Sequence, residues 1–429
     1  MARTLTTVAL ILLLISVVLS HDQARAQGPM GQWIFDTIIN PDVEPLEISG
    51  GPVFPGIDTF IVLDDNDRSN LMVYNINRST RSVESTSTIP VNTPAFGLGH
   101  VIRSANNTAH SCFTDNFELF AVHSPNGVDW DKVPVTEFKE YDSCETAVNN
   151  GDVFVGACNV DADAYLIFQS QDNGQTWNKI QEIENVLCPS QDGTRPTFNM
   201  IDGVPVIFYM TGFSEEEAVE KDQSNTTRLI APGELVLQQG NEPHVVDMDT
   251  PHNTLAESFP SKTINGTIYT AYYHRASNTI RLLVKNPPPF GLPIVVELGP
   301  PAPFTTFFGL ACVEGPKGTI NVIAPGKHFQ YVPIFDPIDT GAGEVFQISR
   351  FPFMNQNNGP VGVTDFAPPP GFVRAEEGFD AMYPGSLGFG QFRLIGSRPI
   401  PTLSEWGLIA LAGVLMLSGA FYLRRRVMS

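Results

Sequence analysis

The chain has 429 residues, of which 25 are Lys or Arg and 46 are Asp or Glu, leaving a formal charge of −21 at neutral pH. A nucleic-acid partner is not expected, because phosphate binding rests on a positive footprint, and anionic membrane surfaces are disfavoured for the same reason. The length is ample for one large domain with a core of its own.

At the N-terminus, Arg3, an apolar run from Val8 to Leu19, and then Ala24, Arg25 and Ala26 follow the layout of a secretory signal peptide over residues 1–26. The exported body is expected to span residues 27–399. The flanking segments, net +1 over residues 1–26 and +2 over 400–429, leave −24 on that body. Such acidity reads as a solubility device rather than a binding clue.

Within the body, turn pairs precede β-branched or aromatic runs at a regular spacing. The runs are residues 59–63 (TFIVL), 110–113, 153–155, 206–210 (VIFYM), 268–273 (IYTAYY) and 320–324 (INVIA), with starts 51, 43, 53, 62 and 52 residues apart. Asn150 with Gly151, Asp202 with Gly203, Asn265 with Gly266 and Lys317 with Gly318 stand before four of them. Second strand-like segments follow, for example residues 70–76, 117–123, 164–169 and 279–285. Units of about fifty residues built from several short strands predict an all-β chain of β-propeller blades. Six blades are preferred and seven are the alternative, with residues 371–395 either completing the sixth or closing the ring with the segment from Trp33.

Two units carry a sharper signature. Residues 170–177 read SQDNGQTW and residues 124–130 read SPNGVDW, with Trp130 and Trp177 47 residues apart. In such a hairpin turn the Ser and the Asp or Asn side chains bond turn amides, Gly takes a positive φ and Trp folds beneath. The residues concerned are Ser170, Asp172, Gly174 and Trp177, and Ser124, Asn126, Gly127 and Trp130. The pattern S-x-D-x-G-x-T-W resembles that of the Asp-box (BNR) propellers, the architecture of sialidases and of many non-enzymatic relatives. The resemblance implies a propeller whose boxes lie on the rim away from the central pocket, so the boxes say nothing about catalysis.

Four of the five cysteines repeat in register, Cys112 and Cys158 standing 46 apart and Cys144 and Cys188 standing 44 apart. Export permits disulfides, and several pairings are open. The register prefers Cys112 with Cys144 and Cys158 with Cys188, leaving Cys312 free, each loop of about thirty residues contributing roughly 3 kcal/mol by chain entropy. No cysteine or histidine spacing points to zinc, and no cofactor is expected. Acidic turns at Asp64 and Asp67 and at Asp161 and Asp163 could offer oxygens to calcium, but they lack the glycine and distal Glu of an EF-type loop, so solvated turns are preferred.

The likeness to sialidases brings a constellation to compare: a Tyr nucleophile activated by a Glu, an Asp acid/base and three arginines clamping the substrate carboxylate. Glu257 lies eight residues before Asn265, Tyr383 lies in AMYPGSL, Arg195 lies in GTRPT, and Arg275 falls two residues beyond the slot of the family pattern. No F/Y-R-I-P segment opens the repeat and no aspartate loop follows it. A binding or structural module is therefore the preferred reading and a sialidase-like glycoside hydrolase the alternative.

The C-terminus reads IPTLSEWG over residues 400–407, then an uncharged apolar run of 16 residues from Leu408 to Leu423, then Arg424, Arg425 and Arg426. A helix over 408–423 is short of the roughly 20 residues usual for a span, but Trp406 and Gly407 at one interface and snorkelling arginines at the other extend it. Pro401, Thr402, Leu403, Trp406, Gly407 and the three arginines resemble, in order and spacing, the IPTL-CTERM sorting signals of bacteria. The resemblance implies an exosortase-type partner at the inner membrane and an anchor there until processing. It also implies a final place on the envelope surface or outside the cell, where the expected ligand is a glycan or a protein.

Overall fold

The computed structural model describes residues 32–395 apart from a number of connecting segments, the longest being 212–232, 250–260 and 350–370. The expected signal segment 1–26 and the tag with its helix 408–423 lie outside the described residues. Among the described residues no helix is long and apolar enough to cross a membrane.

The described residues are all-β. Strand β1 is Gln32–Asn40. The first sheet holds β2 (Pro45–Phe54), β3 (Ile57–Asp64), β4 (Asn70–Asn77) and β5 (Val83–Pro90). The second holds β6 (Ala95–Phe96), β7 (Ile102–Arg103), β8 (Ala109–Asp115), β9 (Glu118–Ser124) and β10 (Asp131–Pro134). The third holds β11 (Tyr141–Asn149), β12 (Asp152–Asn159), β13 (Ala164–Ser170) and β14 (Asn178–Glu184). The fourth holds β15 (Thr197–Ile201), β16 (Val204–Met210), β17 (Gly233–Gln239) and β18 (Glu242–Asp249). The fifth holds β19 (Ser261–Ile264), β20 (Thr267–His274), β21 (Thr279–Lys285) and β22 (Ile294–Gly299). The sixth holds β23 (Ala311–Glu314), β24 (Ile320–Ala324), β25 (Lys327–Pro333) and β26 (Gly343–Ser349). The seventh holds β27 (Gly371–Ala375), β28 (Gly378–Gly385) and β29 (Gly388–Ile395), and β1 joins it beside β29.

The described residues thus form seven sheets, where the repeat preferred six. Residues 371–395 make a sheet of their own with the strand from the N-terminal side, rather than completing the sixth. The repeat underestimated the number because β28, GFDAMYPG, carries neither an apolar β-branched run nor an Asn-Gly or Asp-Gly turn before it.

Local chemistry explains the hairpins. Asn150 and Gly151 connect β11 to β12 with φ of 52° and 95°, and Asp202 and Gly203 connect β15 to β16 with φ of 51° and 80°. Two consecutive positive φ values match the twist of the flanking strands, which is why Asn-Gly and Asp-Gly mark these turns in the sequence. First strands of successive sheets then lie side by side, β2 by β7, β7 by β11, and so through β15, β19 and β23 to β27, which returns to β2. The circuit is closed.

The core lies between sheets rather than at one centre. Ile61, Leu63 and Val73 of the first sheet pack on Ala109, Phe113 and Val122 of the second. Leu119 and Ala121 of the second meet Val155, Ala157 and Phe168 of the third, and Phe154 and Ile167 of the third meet Phe198 and Ile207 of the fourth. The same layering continues to the sixth sheet. Alternate residues of β12 thus face different neighbours, and every residue from Val153 to Asn159 is buried.

The two signature turns have the expected hydrogen bonds. Ser170 Oγ donates to Asp172 Oδ1 at 2.8 Å and accepts from the Gly174 amide at 2.8 Å. The Asp172 carboxylate accepts the Thr176 hydroxyl at 2.6 Å and the amides of Thr176 and Gln175 at 2.8 and 3.1 Å. Those bonds, the Thr176 hydroxyl foremost, hold its pKa down to about 2. The Trp177 indole N–H reaches Gly174 O at 3.2 Å. In the shorter turn Asn126 Oδ1 replaces the carboxylate, accepting the Val128 and Asp129 amides at 2.9 Å, and Trp130 reaches Gly127 O at 3.1 Å.

Two disulfides are present among the described residues, Cys112–Cys144 and Cys158–Cys188, with Cα separations of 6.2 and 5.7 Å, and Cys312 is buried and belongs to neither. The first joins β8 of the second sheet to β11 of the third. The second ties β12 to the segment around Val186 and Leu187, which is itself paired with the end of β16 at Met210 and Thr211. Each closes a loop of 32 or 30 residues. Replacing both members of either pair by Ala is expected to lower stability by about 3 kcal/mol, read from denaturant midpoints at constant slope. Mapping of non-reduced peptides is expected to find these two bridges, with Cys312 alkylated only after denaturation; a bridge to Cys312 would contradict this connectivity.

Candidate functional site

Up-and-down sheets sort their connections onto two faces. The turns between first and second strands, and between third and fourth, share one face, which holds both signature turns. The starts of the first strands and the turns between second and third strands share the other. On this first-strand face a charged cluster sits where the first strands converge.

The cluster depends on a break in the first strand of the second sheet. β6 and β7 both pair with β8, and residues 97–101 bulge between them. Gly97 has φ of 67°, and a Cβ there would meet Asp142 O at 2.7 Å, so the bulge needs glycine both for conformation and for space. Its amides point at a carboxylate: Gly97 N donates to Glu47 Oε1 at 3.0 Å and Leu98 N to Glu47 Oε2 at 2.7 Å. Arg195, two residues before β15, donates to Glu47 Oε2 and to Leu98 O, both at 3.1 Å. Both side chains are largely buried, at 17% and 21% exposure. Burial works against the guanidinium charge, but Glu47 and then Glu145 outweigh it, and the Arg195 pKa is raised.

Beside this pair, Glu145 of β11 is 6% exposed and its Oε2 meets His100 Nδ1 at 2.6 Å, while the His100 ring is 53% exposed. The His100 amide also donates to Glu145 Oε2 at 3.3 Å, and Thr146 Oγ1 donates to His100 O at 2.6 Å. Tyr165 lies behind. Its hydroxyl is buried without a hydrogen-bond partner, and it sits 2.6 Å from where a Cβ on Gly156 would be, Gly156 being the cross-strand partner of Glu145. Burial first, and Glu145 second, push the Tyr165 phenol well above its usual pKa. Chemically the cluster offers an oriented imidazole backed by a buried carboxylate, next to an ion pair already satisfied by backbone.

Those residues singled out from sequence that are described stand at three different sheets, the fourth, the fifth and the seventh. Arg195 is in the cluster, paired to Glu47. Arg275 lies at the turn between β20 and β21, in a separate network between the fourth and fifth sheets. There its amide donates to Asp249 Oδ2 at 2.7 Å, Asp247 Oδ2 accepts Tyr272 OH at 2.5 Å and Arg281 Nη1 at 2.6 Å, and His274 Nε2 meets Met248 O at 2.6 Å. Tyr383 is in β28 with Gly390 opposite, and Glu257 lies outside the described residues. Sequence reading missed Glu47, Glu145 and His100; the available signal was FGLGH over 96–100, two glycines interrupting a first strand.

Of the acidic turn residues, Asp67 bonds its own turn. Asp67 accepts the Ser69 amide at 3.1 Å, and the Ser69 hydroxyl, amide and Asn70 side chain lower its pKa. Asp163 takes φ of 45° and its carbonyl accepts the Val186 amide at 2.9 Å. Asp64 is buried at the end of β3 and Asp161 is exposed. The group of metal-type ligand atoms found close together among the described residues is Asp142 with Cys158 and Cys188, and those cysteines are joined in a disulfide rather than available as thiolates.

No curated protein matches this chain. Solved structures similar to it include virginiamycin B lyase from Staphylococcus aureus, at 12% identity over 85% of this chain and 99% of that one, TM-score 0.47. Others are the α-L-arabinanase of Penicillium chrysogenum, at 13% identity over 72% and 95%, TM-score 0.41, and the NanB sialidase of Streptococcus pneumoniae, at 8% over 68% and 67%, TM-score 0.44. Likeness at this level carries no argument about activity. Residues 398–426, by contrast, match the IPTL-CTERM motif, a tag of export and envelope sorting that implies processing by an exosortase-type enzyme.

Proposed function

We propose that the chain is a sorted, exported seven-bladed propeller of Asp-box type. It binds a surface glycan or protein on its first-strand face and is carried to the envelope by its C-terminal tag, its apolar helix holding it in the inner membrane until processing. One observation supports a binding module over a sialidase-like hydrolase: Arg195, the candidate clamp in the charged cluster, is bonded to Glu47 and to Leu98 O. A carboxylate clamp needs guanidinium groups open to substrate, and freeing Arg195 would leave Glu47 buried beside it without its cation. His100, half-exposed and oriented by Glu145, is the side chain of the cluster that is offered to a ligand.

The body, residues 27–399, is expected to leave a fluorogenic sialoside intact while retaining a ligand on a glycan or envelope-protein array, with binding reduced about tenfold in His100→Ala. Turnover lost in both Glu257→Ala and Tyr383→Phe would instead establish the hydrolase. Binding indifferent to His100 but abolished by changes in residues 124–130 would place the ligand on the opposite face.

Deleting residues 400–429 is expected to change where the protein is found, from membrane and envelope fractions to the periplasm or medium. Identical fractionation of the truncated and full-length forms would refute sorting by the tag.

A further inference from the structure

The two signature turns fasten neighbouring sheets at equivalent places, and only one of them rests on titratable groups. The turn over 124–130 lies on the first sheet, where Thr59 and Asn75 face each other across β3 and β4. Thr59 Oγ1 donates to Asn75 Oδ1 at 2.7 Å, and Asn75 Nδ2 donates to Gly127 O at 2.8 Å. The turn over 170–177 lies in the same way on the second sheet, where the corresponding cross-strand pair of β8 and β9 is His110 and His123. His110 Nε2 meets Asn173 Oδ1 at 3.2 Å, and His123 Nε2 meets Gln175 Nε2 at 2.7 Å. A Cβ on Gly174 would lie 3.3 Å from His123 Nδ1 and 3.5 Å from His110 Nδ1, so both imidazoles press directly on the backbone of the turn.

The pair is built for the neutral form. His110 and His123 are 2% and 4% exposed, their ring centroids are 6.0 Å apart, and among the described residues the buried His123 Nδ1 has no hydrogen-bond partner. The charged groups facing them are Asp131 of β10, whose Oδ2 is 3.6 Å from His123 Nε2, and Asp172 of the turn itself. Protonation would bury two like charges side by side and add a donor at the His123 Nδ1, which has no partner among the described residues.

We infer that the His110–His123 pair is an acid-sensitive latch, which releases the turn over 170–177 from the second sheet as the pH falls while the Cys112–Cys144 disulfide keeps the two sheets joined at their inner strands. Burial, and then the proximity of His123, lower the His110 pKa from the ordinary 6.5 to about 4, and burial lowers that of His123 as well. A closed latch whose histidines resist protonation keeps its full stability above 6.5 and loses it as the pH falls toward 4. Asp172, with a pKa of about 2, stays ionised throughout that window, so a loss of order at this turn reports the histidines beneath it and not the carboxylate within it.

Hydrogen exchange of the full body, corrected for intrinsic rates and compared at about pH 7.5 and about pH 4.5, tests this: amides of residues 174–177 are expected to lose protection about tenfold or more. The amides of residues 127–130, over the Thr59–Asn75 pair, are expected to keep theirs. The double variant His110→Thr, His123→Asn, which installs the uncharged pair of the first sheet, is expected to lose the pH response. Equal loss at both turns, which marks general acid unfolding, or retained protection at both, overturns the latch. The wild-type comparison decides the question even if the double variant does not fold.

Discussion

Every sheet must bury both of its faces, and the rest of the molecule follows from that. In β12 the side chains alternate between two cores, Phe154 toward the fourth sheet and Val155 toward the second, and neither face can be left to water. A four-stranded sheet with two apolar faces has no stable existence alone, so its stability is borrowed from neighbours on either side, as in other repeat architectures. A linear stack would expose a face at each end. Closing the circuit through β27 and β2 removes both ends, and the last sheet is completed by β1, a strand from the opposite end of the chain. That pairing spans almost the whole sequence, which makes closure the most non-local step in folding and the one with the largest loop entropy to overcome.

Charge collects where one first strand is interrupted. In the second sheet that strand is split into β6 and β7. The amides and carbonyls freed between them need partners, and Glu47, Glu145, Thr146 and Arg195 supply them from three neighbouring sheets. Buried charge is tolerable here because each group meets several polar atoms at once. The ion pair is then chiefly a seam between sheets.

How much of this could be read from sequence depends on burial. The second strands, TFIVL in β3, VIFYM in β16 and IYTAYY in β20, are buried on both faces and follow tight turns, so they appear as continuous apolar runs at a fixed period. Outer strands such as β5, VESTSTIP, are half in water and carry no such signal. The seventh sheet was ambiguous because its central strand is glycine-rich and its fourth strand lies far off in sequence. The disulfides were legible because cysteines keep register with the repeat. The inner cluster was not, since Glu47, His100, Glu145 and Arg195 come from four successive sheets and have no common spacing.

The two faces differ in how they are fixed, and this bears on where binding evolves. On the turn face, side chains bond from one sheet to the turn of the next, Asn75 to Gly127, His110 to Asn173 and Gln181 to Gly240, so a changed turn disturbs a seam. On the first-strand face, Asp249 of the fourth sheet likewise holds the turn after β20, but the connections of Asp67 to Ser69 and of Asn159 to Ala162 are capped by residues of the same segment. Loops that close on themselves can change length and composition without disturbing the ring, while a rigid scaffold holds their ends. Connections capped within their own segment are therefore free to diversify, whereas turns bonded to a neighbouring sheet are constrained by the seams they make.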